Sequence, residues 1–176
     1  MNGAVQSFSA TAFDDYLDVD LELSSRTFLL PIKHDDFCIY TVYLAHAAYH
    51  SYHVNLGCKG ETHNIIYRVL YRFQDELNFK EYFECKRNIS DKIAATKSFV
   101  VSELCSGGSV EFIVKFNSDE KEYYFKPEYP HYLNWVYMIA CSFKNKTPLE
   151  ITYKKESSSK YRASHEIVDI KLPDIT

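Results

Sequence analysis

The chain has few of the features that mark export, catalysis or metal binding. Its five cysteines are an odd set without a CxxC pair, so no zinc ribbon and no complete disulfide framework is spelled out. Buried free thiols in a reducing compartment are the simplest expectation. Residues Met1 to Ser7 lack a basic start followed by an apolar run, and no apolar stretch is long enough to cross a bilayer. The expected location is therefore cytoplasmic or nuclear, with no membrane contact. There is no GxSxG elbow, P-loop, dinucleotide fingerprint or HExxH helix, and the reading is a protein with no enzymatic activity, no cofactor and no metal. A formal charge of −4 excludes binding to nucleic acid or membranes through the electrostatics of the whole molecule, although local basic patches remain.

What is present is aromatic. Glycine and proline number five each, whereas fifteen Tyr and twelve Phe bring the aromatic share to 16%. Tyr and Phe favour strands and fill wide cores, which points to β structure. A chain of 176 residues suits one domain that buries about two-thirds of its unfolded surface, so it folds without disulfide or metal.

Alternation at period two runs through most of the sequence. Val110, Phe112, Val114 and Phe116 alternate with Glu111 and Lys115, giving a half-buried strand, and 117–121 reads as a polar reversal into a returning strand at 122–126. Beyond Pro127 and Pro130, Leu133, Trp135, Tyr137, Ile139, Cys141 and Phe143 would share one face of a third strand, with Trp135 buried. Residues 14–23 alternate acid with apolar residue, as an edge strand with outward carboxylates would. The segment 37–44, apolar on both faces, reads as a central strand. Residues 44–53 admit two periods: a helix would align His46, His50 and His53, whereas an extended chain would turn His53 away. Without a following Glu or a Cys pair, a turn and strand with polar histidines is expected there.

A loop is expected at 55–64, followed by a hairpin of 65–73 with 79–87. Its register puts Tyr67, Val69 and Phe73 inside and Ile66, Arg68, Leu70 and Arg72 outside, the last set beside Lys80, Tyr82, Glu84 and Lys86. Further strands are expected at 98–105 and 148–153. The domain organisation predicted is a flexible start at 1–12, the body at 13–153, a Ser-rich linker at 154–164 and a strand or partner-binding tail at 165–176, with no internal repeat. The fold class is all-β, an antiparallel two-sheet β-sandwich of jelly-roll or galectin-like type.

The run Tyr52-His53-Val54-Asn55-Leu56, the strand Ile65 to Phe73, and the Gly108 turn with its two following strands resemble the layout of a galectin-type β-sandwich. That resemblance covers about Phe37 to Tyr153. It implies a ligand face on the Arg68 strand, with Arg72 at the family's arginine position. Arg68 and Leu70 stand where galectins carry His and Asn, so the resemblance implies a ligand other than a galactoside. Three binding roles follow. The first is assembly with a protein partner through edge strands or the tail residues Ile167, Val168, Ile170 and Leu172. The second is carbohydrate binding, and the third is RNA binding on a face of Arg68, Arg72, Lys80, Tyr82, Glu84 and Lys86. A homo-oligomer is compatible with all three.

Overall fold

The computed structural model describes residues 1–72, 95–106, 111–154 and 165–173. Its elements, in chain order, are β1 (Asn2–Thr11), β2 (Tyr16–Leu21), β3 (Thr27–Pro31), α1 (Phe37–His50), β4 (His53–Lys59), β5 (Ile65–Leu70), β6 (Ala95–Phe99), β7 (Val101–Ser106), β8 (Phe112–Phe116), β9 (Asp119–Phe125), α2 (Tyr132–Asn145), β10 (Leu149–Lys154) and β11 (His165–Lys171). The chain is mostly β, but the all-β expectation is corrected by the helices α1 and α2. The strands are hydrogen-bonded into one mixed sheet of eleven, not into two stacked sheets.

That sheet curls on itself twice, with the same connectivity each time. In the first half β1 pairs with β2, β2 with β3, β3 in parallel with β5, and β5 with β4. The ring closes where Asn2–Ala4 of β1 meet Asn55–His53 of β4. In the second half β7 pairs with β8, β8 with β9, β9 in parallel with β11, and β11 with β10. Here β10 meets β6, which lies one residue before β7 in the chain. The stretch 95–106 thus plays the part of β1. Both opening strands break register midway, between Val5 and Ser7 in one and between Val101 and Glu103 in the other. A bulge bends a strand sharply enough to serve two neighbours on a tightly closed ring. Each half reads strand, strand, strand, helix, strand, strand, and the two join where Phe8–Thr11 pair antiparallel with Ser106–Glu103.

Several expectations are corrected. The acid-rich strand β2 is not an edge, because it pairs with β1 on one side and β3 on the other. Its alternation is as expected, with Leu17, Val19 and Leu21 buried and Asp18 exposed. The segment 37–44 belongs to a helix, not to a central strand. Its two apolar faces are those of a helix enclosed nearly all round, with Phe37, Cys38, Val42, Leu44, Ala45, Ala47 and Ala48 all buried. The proposed third strand is also a helix, α2. Leu133, Trp135, Ile139 and Phe143 are buried as expected, but Tyr137 is exposed, since helical rotation separates residues that alternation would align. Part of the expected 55–64 loop is strand β4, leaving Gly60 to Asn64 as the turn.

The tail folds back. β11 lies between β10 and β9, with Ile167 and Ile170 in the core, Val168 half-buried and Leu172, past the end of the strand, 70% exposed. The second ring is filled mainly by aromatics: Phe99 stacks on Phe116 at 4.5 Å, Tyr123 meets Tyr153 edge-on at 5.0 Å, and Phe125 meets Trp135 edge-on at 5.5 Å. The first is filled mainly by aliphatics, Leu17, Val19, Leu30, Val54, Leu56, Ile66 and Val69 among them. The helices pack against each other, Phe37 stacking on Phe143 at 6.4 Å, while Lys144 Nζ donates to the His34 carbonyl at 2.7 Å.

Candidate functional site

The strongest concentration of recognition chemistry lies on the outer face of β4 and β5. These strands pair antiparallel with Asn55 opposite Leu70 and Gly57 opposite Arg68, and the register slips between Gly57 and Cys58. The slip defeats strict alternation on β5. Ile66, expected outside, is fully buried, while Tyr67, expected inside, is 48% exposed; Val69 is buried, and Arg68, Leu70 and Arg72 are exposed as expected. Two consecutive side chains, Tyr67 and Arg68, therefore reach the same solvent.

The Tyr67 ring lies against Gly57 of the neighbouring strand. A Cβ at Gly57 would stand 3.0 Å from Tyr67 Cζ and 3.2 Å from its hydroxyl oxygen. Only a residue without a side chain leaves room for the ring to lie there. The Tyr67 backbone is held as well. His34 Nδ1 accepts from the Asp36 backbone at 3.1 Å, which puts the ring proton on Nε2, and Nε2 donates to the Tyr67 carbonyl at 3.0 Å.

From His34 a row of rings continues along α1. His34 and Tyr40 are 5.1 Å apart, Tyr40 and Tyr43 6.2 Å, and Tyr43 and Tyr71 6.0 Å. The Tyr71 hydroxyl sits 2.7 Å from His46 Nδ1, His46 and His50 are 4.4 Å apart, and His50 stacks on Tyr52 at 5.1 Å. Burial, and after it the nearby Asp36 carboxylate, push the Tyr40 hydroxyl pKa up, opposed by the Val69 backbone and by Arg68. Residues 44–50 complete α1 instead of forming the turn and strand expected there, so His46 and His50 sit one helical turn apart, His46 buried, whereas His53 has passed into β4. Among the described residues no group of three His, Cys, Asp or Glu is arranged to hold a metal.

Electrostatics separate this face from its surroundings. Arg68 and Arg72 pair with no carboxylate of the described residues, and His53, Asn55 and Lys59 lie exposed on the partner strand. The β1–β2–β3 side of the same ring is acidic. Asp20 accepts from Ser7 at 3.2 Å and from Thr27 at 2.8 Å, while partial burial, then Asp14 and Asp20, raise the Asp18 pKa. On the second ring Lys115 sits between Glu103 at 2.9 Å and Glu122 at 3.7 Å, leaving that side net acidic as well.

An open cleft of about 470 Å³ adjoins the start of β5, lined by Arg26, Thr27, Glu61, Thr62, His63 and Asn64. It is held by Leu29 N–H donating to the Asn64 carbonyl at 2.8 Å, and His63 takes a left-handed backbone, φ 51°, to make the turn.

Of the residues nominated from sequence, Arg68 on β5 and Arg72 just beyond its end are both exposed. Lys80, Tyr82, Glu84 and Lys86 lie outside the described residues. Ile167 and Ile170 are core, which removes them from an exposed partner strip. Sequence reasoning missed Tyr67, the His34–Tyr40–Tyr43 row and the cleft. The one available signal was Gly57, a small residue in a strand where something must approach closely. No family model, curated protein or solved structure compared with the chain matches it.

Proposed function

We propose that each half is a Greek-key barrel of the oligonucleotide- and oligosaccharide-binding type, and that the chain is a non-enzymatic module that holds single-stranded nucleic acid. Support for the fold reading is the five-strand closed ring with a helix between its third and fourth strands, built twice. Fold alone does not set function. The observation that carries the functional reading is Tyr67 lying against Gly57 with Arg68 next to it and Arg72 just beyond the end of β5, both arginines exposed and without a carboxylate partner among the described residues. An aromatic platform takes a base of any identity, and the arginines take phosphates on either side of it. The acidic β1–β2–β3 sides repel phosphate and so confine the strand to the β4–β5 face of the first barrel.

The electrostatic share is small and measurable. Two phosphate contacts on a single strand give a salt slope of roughly −1.4, about a sevenfold loss between about 50 and 200 mM salt. Fluorescence anisotropy with a labelled oligothymidylate tests this. Wild-type chain is expected to show that dependence, and Arg68→Ala with Arg72→Ala to abolish most of it while leaving the thermal midpoint unchanged. Binding with the same slope in the double variant would refute the assignment.

A second reading, assembly with a protein partner, is favoured by a separate observation. Phe13 and Leu23, both fully exposed, flank the acidic strand β2, and Asp14, Asp18 and Asp20 repel one another there. A basic protein segment would relieve that repulsion and cover the two apolar side chains. Pull-down that survives nuclease and is lost in Asp18→Asn with Phe13→Ser would favour this reading. Carbohydrate binding rests on the galectin resemblance alone.

A further inference from the structure

The two histidines of α1 belong to no part of the nucleic-acid face. His46 and His50 are one helical turn apart, a spacing that sets side chains over one another on one face. Their ring centroids are 4.4 Å apart and the ring planes are tilted by 48°. A first-row metal bound at about 2.0 Å by an imidazole nitrogen stands about 3.2 Å from the ring centre, so two rings meeting one ion at a right angle have centres about 4.5 Å apart, and at a tetrahedral angle about 5.2 Å. The separation in α1 fits the right angle. Each ring is also held in place. His46, 7% exposed, has its Nδ1 2.7 Å from the Tyr71 hydroxyl. With the ring proton on Nδ1 and donated to that oxygen, Nε2 carries the lone pair a metal takes; an outer partner of this kind fixes the tautomer and orientation of a ligand. His50 is exposed, stacked on Tyr52 at 5.1 Å with 16° between the planes and edge-on to Tyr49 at 4.7 Å. The inner ring is thus oriented by a hydrogen bond and the outer one by its aromatic neighbours, and the exposed side leaves a way in.

We propose that His46 and His50 chelate a tetragonal first-row divalent ion, copper(II) or nickel(II), with water in the remaining positions. Imidazole suits both ions, and neighbouring ligands at a right angle are what square-planar and tetragonal coordination require. A closed structural zinc site asks instead for the wider tetrahedral spacing and for four protein ligands. Among the described residues no third His, Cys, Asp or Glu joins the pair, and His53 lies exposed on β4 opposite Ala4. The site is therefore open, with room for a water or an anionic ligand on the ion. It stands independently of the nucleic-acid reading, because Tyr49, Tyr52 and Tyr71 serve here only to hold the two rings.

The test is calorimetric titration of the untagged full chain with nickel(II) chloride, chosen over copper(II) because it leaves the free thiols reduced. The expected result is one ion per chain and a thermal midpoint that rises with nickel concentration. His50→Ala should weaken binding at least about tenfold, because attachment of the second ring is intramolecular in the wild-type chain. His50 is exposed, so that variant keeps its fold. Tyr71→Phe should weaken binding about tenfold by releasing the His46 ring, and His53→Ala should leave it unchanged. Unchanged affinity in His50→Ala would overturn the proposal, as would loss of binding in His53→Ala or in Cys141→Ser. A wild-type chain that takes up no nickel at millimolar concentration would do the same.

Discussion

Trp135 shows how a residue's burial can be read correctly from a wrong element. It is 3% exposed, edge-on to Phe125 at 5.5 Å and to Tyr129 at 6.0 Å. Trp135→Ala should leave a cavity and cost about 3 to 5 kcal/mol, read from urea unfolding curves. Asp18 carries the opposite expectation. Partial burial and the Asp14 and Asp20 charges raise its folded pKa above the ordinary value of 3.8. An acid raised in the folded state destabilises once it ionises; the cost is full above the folded pKa and vanishes below the unfolded one. Asp18→Asn should therefore raise the urea midpoint at pH 7, and the gain should disappear as pH falls through the carboxylate range. An equal gain at all pH values would point to packing instead. At this scale Arg68 and Arg72 were legible because charged residues seldom face a core. Tyr67 was not, because a single bulge inverts the parity on which a strand reading depends.

Both helices end the same way, and both were missed for one reason. Ser51 closes α1 with a left-handed backbone, φ 54°, its N–H donating to Ala48 O and that of Tyr52 to Ala47 O. Lys146 closes α2 likewise, φ 56°. Glycine usually occupies that position, since a side chain there is strained. Ser51→Gly should stabilise the chain by about 0.5 to 1 kcal/mol in chemical denaturation. Lys146→Gly should gain less, because Lys146 Nζ lies 4.5 Å over the Phe143 ring and that contact is lost. A glycine there would have marked the helix ends. Without it, α1 reads as a two-faced strand because it is enclosed almost all round, and the odd-numbered apolar residues of α2 imitate alternation. The hairpin of β8 and β9 was legible because β8 alternates buried and half-buried residues and β9 begins polar before Tyr123, Tyr124 and Phe125 enter the core.

At the scale of the whole molecule, the duplication was invisible in the sequence. A ring of five strands asks only for alternation and a bend in its first strand, so aliphatics fill one interior and aromatics the other without a shared motif. The parallel contacts of β3 with β5 and of β9 with β11 leave no local trace either, because they join segments separated by a helix and a strand. The mostly β class was legible; the curling of one sheet into two rings was not. The two rings also divide their surfaces by charge, with cation and exposed tyrosine on β5 and carboxylates on β1–β2–β3 and β7–β8–β9. The claim that rests on this division is tested most directly by amide hydrogen exchange with and without a saturating oligothymidylate. The account predicts slowed exchange in peptides covering His53 to Lys59 and Ile65 to Arg72, with the β7–β8–β9 peptides unchanged. Slowing confined to the second barrel, or none anywhere at saturation, would contradict it.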